Sequence, residues 1–155
     1  MMQKFSELSP SEEQWIKHQL EGANAFLAAF APESPPTHSL LDRLDSAFAA
    51  WMATQESDVD LVNKVINCVG TVFGQELVNE LELCWVIVED EHGTELAVKG
   101  TPEQGDALVF PANFVAKRWE RKETTFLSDS LDKIRDNLAA VSQPSGSKKQ
   151  WWKIW

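Results

Sequence analysis

Apolar residues recur near the start of the chain with helical spacing: Ile16, Leu20, Ala23, Leu27 and Phe30 follow at intervals of four, three, four and three. Such intervals gather the apolar side chains on one face of an amphipathic helix. Ser9, Pro10 and Glu12 mark its start, because serine caps the free N–H groups, proline fits the first turn and the glutamate completes a capping box. The helix is expected over 9–30. The prolines of "APESPPTH" then make 31–38 a connector, since proline cannot continue a helix. A second stripe, Leu41, Leu44, Phe48 and Trp51, predicts a shorter helix from Ser39. A third, Val62, Ile66, Val69, Phe73 and Leu77, predicts a longer helix capped by Asp58. Gly70 and Gly74 lie one turn apart on it, each costing about 1 kcal/mol of helix propensity relative to alanine. Their spacing implies that another element packs close against them.

The period then changes from helical to two. Trp85 and Ile87 alternate with Val86 and Val88, and after "EDEHG" Leu96 and Val98 alternate with Glu95, Ala97 and Lys99. The two runs predict a hairpin in which Gly93 supplies a positive φ. A turn at "GTPEQGD" leads to a third short strand over 107–110. Pro111 ends that strand, and Phe114, Val115, Arg118 and Trp119 outline a short helix. Leu127, Leu131, Ile134, Leu138 and Val141 outline the closing one. The expected fold is α+β, with N-terminal helices, a three-stranded antiparallel β-meander and a C-terminal helix packed on the sheet. A chain of 155 residues supports one core, expected over 1–141, and 142–155 read as a flexible linker followed by a Trp-rich basic tail.

The segments "VNKVINCVGTVFGQELV", "CWVIVEDEHGTELAVKG" and "VFPANFVAKRWERKE" resemble, in order and spacing, a bacterial family catalogued only as a domain of unknown function. Its pattern is helix-Gly-Gly, then Trp-Asp-Gly-Glu, then Pro and Lys-Arg, and Trp85, Asp90, Gly93, Glu95 and Pro111 carry the most specific matches. The resemblance covers about 61–138. It implies a fold and a bacterial source, not an activity.

Charge narrows the choice of partner. With 14 Lys and Arg against 24 Asp and Glu, the formal charge is -10, which disfavours direct binding to nucleic acid and favours a basic protein. Residues 1–14 lack an apolar run that could serve as a signal, and Asn63, Lys64, Asn67, Gln75 and Glu76 interrupt the most apolar window, so no membrane span is expected. Cys68 and Cys84 lack the paired spacing of a zinc or redox site and are expected to be buried, reduced thiols of a cytoplasmic protein.

Ionisable groups concentrate at one place, where Glu89, Asp90, Glu91, His92 and Glu95 surround the hairpin turn. They lack the alternating spacing of a calcium loop, and neighbours on an exposed turn do not hold two carboxylates across a cleft as glycoside hydrolysis requires. His18, His38 and His92 lie in no nucleophile elbow, and "GTPEQG" lacks the lysine of a phosphate loop. No catalytic residue, metal ligand or cofactor is therefore expected. The acidic run is either a solvated turn or a patch that binds a protein. The basic run Lys117, Arg118, Arg121 and Lys122 pairs with anions or with the protein's own acidic surface. In the tail, Lys148, Lys149 and Lys153 interleave with Trp151, Trp152 and Trp155. Large aromatic groups rarely stay in water, so the tail is expected to fold onto the body, join a neighbouring copy in a homo-oligomer, enter a partner's pocket or touch a membrane surface. These observations point to a non-catalytic acidic protein-binding domain, most concretely an immunity-like inhibitor that neutralises a bacterial toxin such as a basic nuclease. The alternative is a small enzyme or ligand-binding protein with a pocket between sheet and helices.

Overall fold

The structure, a computed structural model, describes residues 3–35 and 37–141. Strand β1 (Lys4–Ser6) precedes three helices, α1 (Pro10–Phe30), α2 (Leu40–Met52) and α3 (Val59–Leu81). The hairpin β2 (Cys84–Asp90) and β3 (Gly93–Lys99) follows, then a 3-10 turn (Pro102–Gln104) and β4 (Leu108–Val109). Helices α4 (Pro111–Glu120) and α5 (Leu127–Val141) close the described chain.

The helix starts obey local chemistry. Glu12 N–H donates to Ser9 Oγ and Ser9 N–H donates to Glu12 Oε1 at 3.0 Å, which is the expected capping box. Ser39 accepts the Asp42 N–H at 3.1 Å, and Asp58 accepts those of Asp60 and Leu61. Each cap satisfies N–H groups that a helix start leaves free.

Helix α3 is the centre of the molecule. From Cys68 to Gly74 every residue is buried, so this stretch is covered all round rather than along one stripe. The two glycines explain how. A Cβ on Gly70 would stand 2.8 Å from Ala112 Cα, and one on Gly74 would stand 2.8 Å from Trp85 Cζ2 and 2.9 Å from Pro111 Cγ. The missing side chains let the start of α4 and the Trp85 ring settle directly on the helix. The stacked rings of Phe73 and Phe114, 4.9 Å apart, extend the same contact.

The sheet is antiparallel throughout in the order β1-β2-β3-β4, so among the described residues it has four strands rather than the three expected. The additional strand pairs Lys4 with Glu89 and Ser6 with Ile87. Three residues are too few to show alternation, and their partners lie more than eighty positions away. The expected placement of the C-terminal helix is also corrected. Helix α5 packs chiefly on α2, the 3-10 turn and α3, whereas the sheet takes its helical cover from α3 and α4. An apolar stripe specifies that a helix is buried, not what buries it. Trp85, Val98 and Val109 join the main core, while Val88, Ala97 and Leu108 form a second small cluster with Val86 and Phe110. The two sets alternate along the strands and so occupy opposite faces of the sheet.

Candidate functional site

The hairpin turn is built locally. Asp90 and Gly93 pair across it, Gly93 takes a φ of 127°, and His92 N–H donates to Asp90 Oδ1 at 2.8 Å. That hydrogen bond is an Asx-type device that shapes the turn. His92 Nε2 lies 3.5 Å from Glu91 Oε1, and both side chains are exposed. Glu89 and Glu95 are exposed too, but strand alternation sends them to opposite faces of the sheet. The predicted cluster is thus dispersed around a rim, with Asp90 serving the turn. Among the described residues no group of His, Cys, Asp or Glu is placed to hold a metal ion. Trp151, Trp152 and Trp155 lie outside the described residues.

Beside this rim no described strand pairs with β3 beyond the end of β4. Gly100 N–H donates to Ala107 O at 2.8 Å, and the β3–β4 register continues through Lys99↔Leu108 to Val98↔Val109. There β4 stops, because Pro111 starts α4. By the two-residue period, the backbones of Leu96 and Thr94 turn toward the same side as those of Gly100 and Val98. They therefore face an edge from which β4 has already departed.

A cleft of about 250 Å³ lies at this edge, lined by Trp15, Asn67, Thr71, Trp85, Leu96 and Phe110, with Glu95 and the first turn of α4. Its floor follows from the glycine contacts: Gly70 seats the start of α4, and Gly74 seats Trp85. The Trp85 N–H donates to Gln75 Oε1 at 3.1 Å, and the Thr71 hydroxyl donates to Asn67 O at 2.6 Å. Among the described residues Glu95 is the one ionisable member of the lining. The described lining accordingly offers apolar contact, amides and one carboxylate.

Carboxylates do converge elsewhere, in a groove of about 450 Å³ between α2, α3 and α5 that includes Asp42, Glu76, Glu80, Asp129 and Asp132. Arg135 is 3.5 Å from Glu80 and 3.1 Å from Asp132. Partial burial, then the neighbouring Glu80, push the Glu76 carboxyl above its ordinary range. Hydrogen bonds from Ser128 and Ser39 hold Asp42 below it. Sequence reading missed this groove because its members come from three helices. Of the basic run, Arg118 is structural: it is buried with its guanidinium 4.3 Å from the Phe114 ring centroid and its Nε 3.0 Å from Glu123 Oε2. Trp15 carried a readable signal, since it sits one position off the buried stripe of α1 and remains 37% exposed.

The residues of the sequence pattern now have places. Trp85 and Pro111 meet Gly74, Asp90 and Gly93 form the turn, and Glu95 reaches the cleft. No curated protein and no solved structure matches the chain. A family profile matches residues 45–128, just over half of the chain, so this protein belongs to the family described as Domain of unknown function (DUF3806).

Proposed function

We propose that this protein is a non-catalytic protein-binding domain that receives an extended, basic segment of a partner along the open edge of β3. The observation that carries this reading is the end of β4 at Val109, after which no described strand pairs with the Leu96 and Thr94 backbone. Strand addition at such an edge draws affinity from main-chain hydrogen bonds and specificity from alternate side chains. Leu96 and the cleft suit an apolar side chain, while Glu89, Glu91 and Glu95 at the rim favour cationic neighbours and speed encounter. The most concrete form is an immunity-like inhibitor of a basic bacterial toxin such as a nuclease, in which charge steers approach and the added strand holds the complex.

A peptide of alternating lysine and valine is a suitable probe. Its binding should move the amide resonances of Thr94 and Leu96 and weaken with salt. Combining Glu89→Gln, Glu91→Gln and Glu95→Gln should reduce both affinity and salt dependence. No movement at either amide would end the strand-addition reading. The size of the cleft, about 250 Å³, favours a second reading as a small-ligand site. Small aromatic amides that perturb Trp15 and Asn67, with Thr94 and Leu96 undisturbed, would support it.

A further inference from the structure

We infer that the cleft beside β3 receives an arginine side chain of the partner's segment, with its hydrocarbon stem against Leu96 and its guanidinium among the aromatic rings and Glu95. The inference rests on the reading of the β3 edge as the seat of a basic segment, and names the residue that this seat selects.

The inner wall of the cleft has its side-chain donors already engaged. The Trp85 N–H donates to Gln75 Oε1 at 3.1 Å, and the Thr71 hydroxyl donates to Asn67 O at 2.6 Å. Trp85 therefore offers the cleft a ring, and the buried Thr71 offers an oxygen whose remaining lone pairs accept. Glu95 adds a carboxylate, an acceptor when ionised, and no described residue pairs with it. The start of α4 supplies few donors in return. Pro111 has no N–H, and Ala112 N lies 3.0 Å from where a Gly70 Cβ would stand, packed on α3. Asn67 and Asn113 carry amides that present either an oxygen or an NH2 group. Such a lining calls for a ligand that brings the donors.

Its aromatic members call for a cation. Trp15, Trp85 and Phe110 line the same cleft, and ring faces attract positive charge. A guanidinium is planar, carries five donors and is more weakly hydrated than an ammonium, so it enters an aromatic cleft more readily than lysine does. The walls are set in advance. Gln75 and Gly74 fix the Trp85 indole. The contact of Cys68 Sγ with Gln19 O, 3.6 Å, ties α1 to α3, and Trp15 lies one turn before Gln19. Trp15 also lies outside residues 45–128, so α1 supplies this wall from beyond the family unit.

Other grooves suit the same head group less well. The one between α2, α3 and α5 holds more carboxylates, Asp42, Glu76, Glu80, Asp129 and Asp132, but Arg135 already lies among them and no aromatic residue stands in its described lining. The one at the ends of α2 and α4 has Trp51 and Trp119 with Glu56 and Glu120. Lys122 shares that lining, and Glu56 accepts the Ser57 and Asp58 N–H groups. A third groove contains the cation Arg43. The β3 cleft joins rings to a carboxylate with no cation in its described lining.

Peptide titrations of the full chain, followed by its amide and indole resonances at an ionic strength that screens the rim, test the proposal. Versions of the lysine-valine peptide carry arginine, lysine or citrulline in place of a central valine, citrulline having the shape of arginine without its charge. The arginine version should bind about five- to tenfold more tightly than the citrulline version and move the Trp15 indole N–H. Trp15→Leu and Glu95→Gln should each remove most of that preference, and Trp15→Phe should retain it. Lysine or citrulline binding as tightly as arginine, with Thr94 and Leu96 still moving, would overturn the proposal while the edge remains a binding surface. An arginine preference that survives both Trp15→Leu and Glu95→Gln would overturn it too, by placing the guanidinium in another groove. Thr94 and Leu96 amides undisturbed by every version would remove the edge reading as well.

Discussion

Leu127 donates its backbone N–H to the Asp45 carboxylate, 2.9 Å away and 82 positions earlier in the chain. Phe126 donates to the same oxygen at 2.9 Å, and Ser128 donates to the other at 3.3 Å. A side chain of α2 thereby caps the start of α5. The residues that match the family run from 45 to 128, so the first and last of them are hydrogen-bonded and the family unit is closed at its ends. Asp45→Ala would leave buried N–H groups without an acceptor and should cost about 2–3 kcal/mol, measured by urea denaturation. Asp42→Ala removes a carboxylate from the exposed side of the same junction, where Ser128 Oγ donates to it at 2.6 Å, and should cost less than about 1 kcal/mol. Equal costs would show that the buried cap does not hold α5.

The glycines of the helices should separate by environment. Gly70→Ala would drive a methyl group into the Ala112 backbone and should destabilise by about 1–3 kcal/mol despite its better helix propensity. Gly74→Leu should do at least as much, because the Trp85 ring and Pro111 fill that space. Gly22 has nothing within 4 Å of a Cβ, so Gly22→Ala should stabilise by roughly 0.5–1 kcal/mol. Thermal melts of the three variants read this directly, and a stabilised Gly70→Ala would contradict the packing assignment.

The two thiols should differ in reactivity. Cys84, the first residue of β2, is exposed rather than buried as expected, whereas Cys68 is buried, its Sγ 3.6 Å from Gln19 O, with burial pushing its pKa up to about 11. The thiolate is the reactive form. A disulfide reagent at pH 8 should titrate one thiol in the native protein, and Cys84→Ser should abolish that reaction. The second thiol should react only on unfolding.

Glu76 sets a pH dependence. Its carboxyl is raised above the ordinary 4.5 by partial burial and by Glu80, so the native state binds this proton more tightly than the unfolded state does. The stabilisation is complete below pH 4.5 and is lost as pH rises through the higher native value. Glu76→Gln should therefore be slightly more stable than the parent at pH 7, with the advantage fading toward pH 4. Parallel stability curves across that range would show that Glu76 is not crowded.

Much of the architecture was legible because its causes are local. Ser9, Ser39 and Asp58 cap helices within three residues of themselves, Gly93 supplies the one turn conformation that other residues resist, and the shift from helical to two-residue period marks where α3 gives way to the hairpin. Gly70 and Gly74 announced a close approach, although not that Trp85, Pro111 and Ala112 would make it. The remaining features join residues far apart in the chain. β1 exists only because the β2 edge accepts it, α5 starts where Asp45 reaches it, and the cleft needs Trp15, Asn67 and Phe110 brought together from three elements. A charge run such as Glu89 to Glu91 records which groups are present. Whether they converge depends on strand alternation and register, which send Glu89 and Glu95 to opposite faces, and on where a neighbouring strand ends. The sequence by itself determined the helices, the hairpin and the tight helix surface, since capping, periodicity and missing side chains act over a few residues. The tertiary structure alone decided the fourth strand, the cover of the sheet and the open edge, because those depend on long-range pairing that no local pattern encodes.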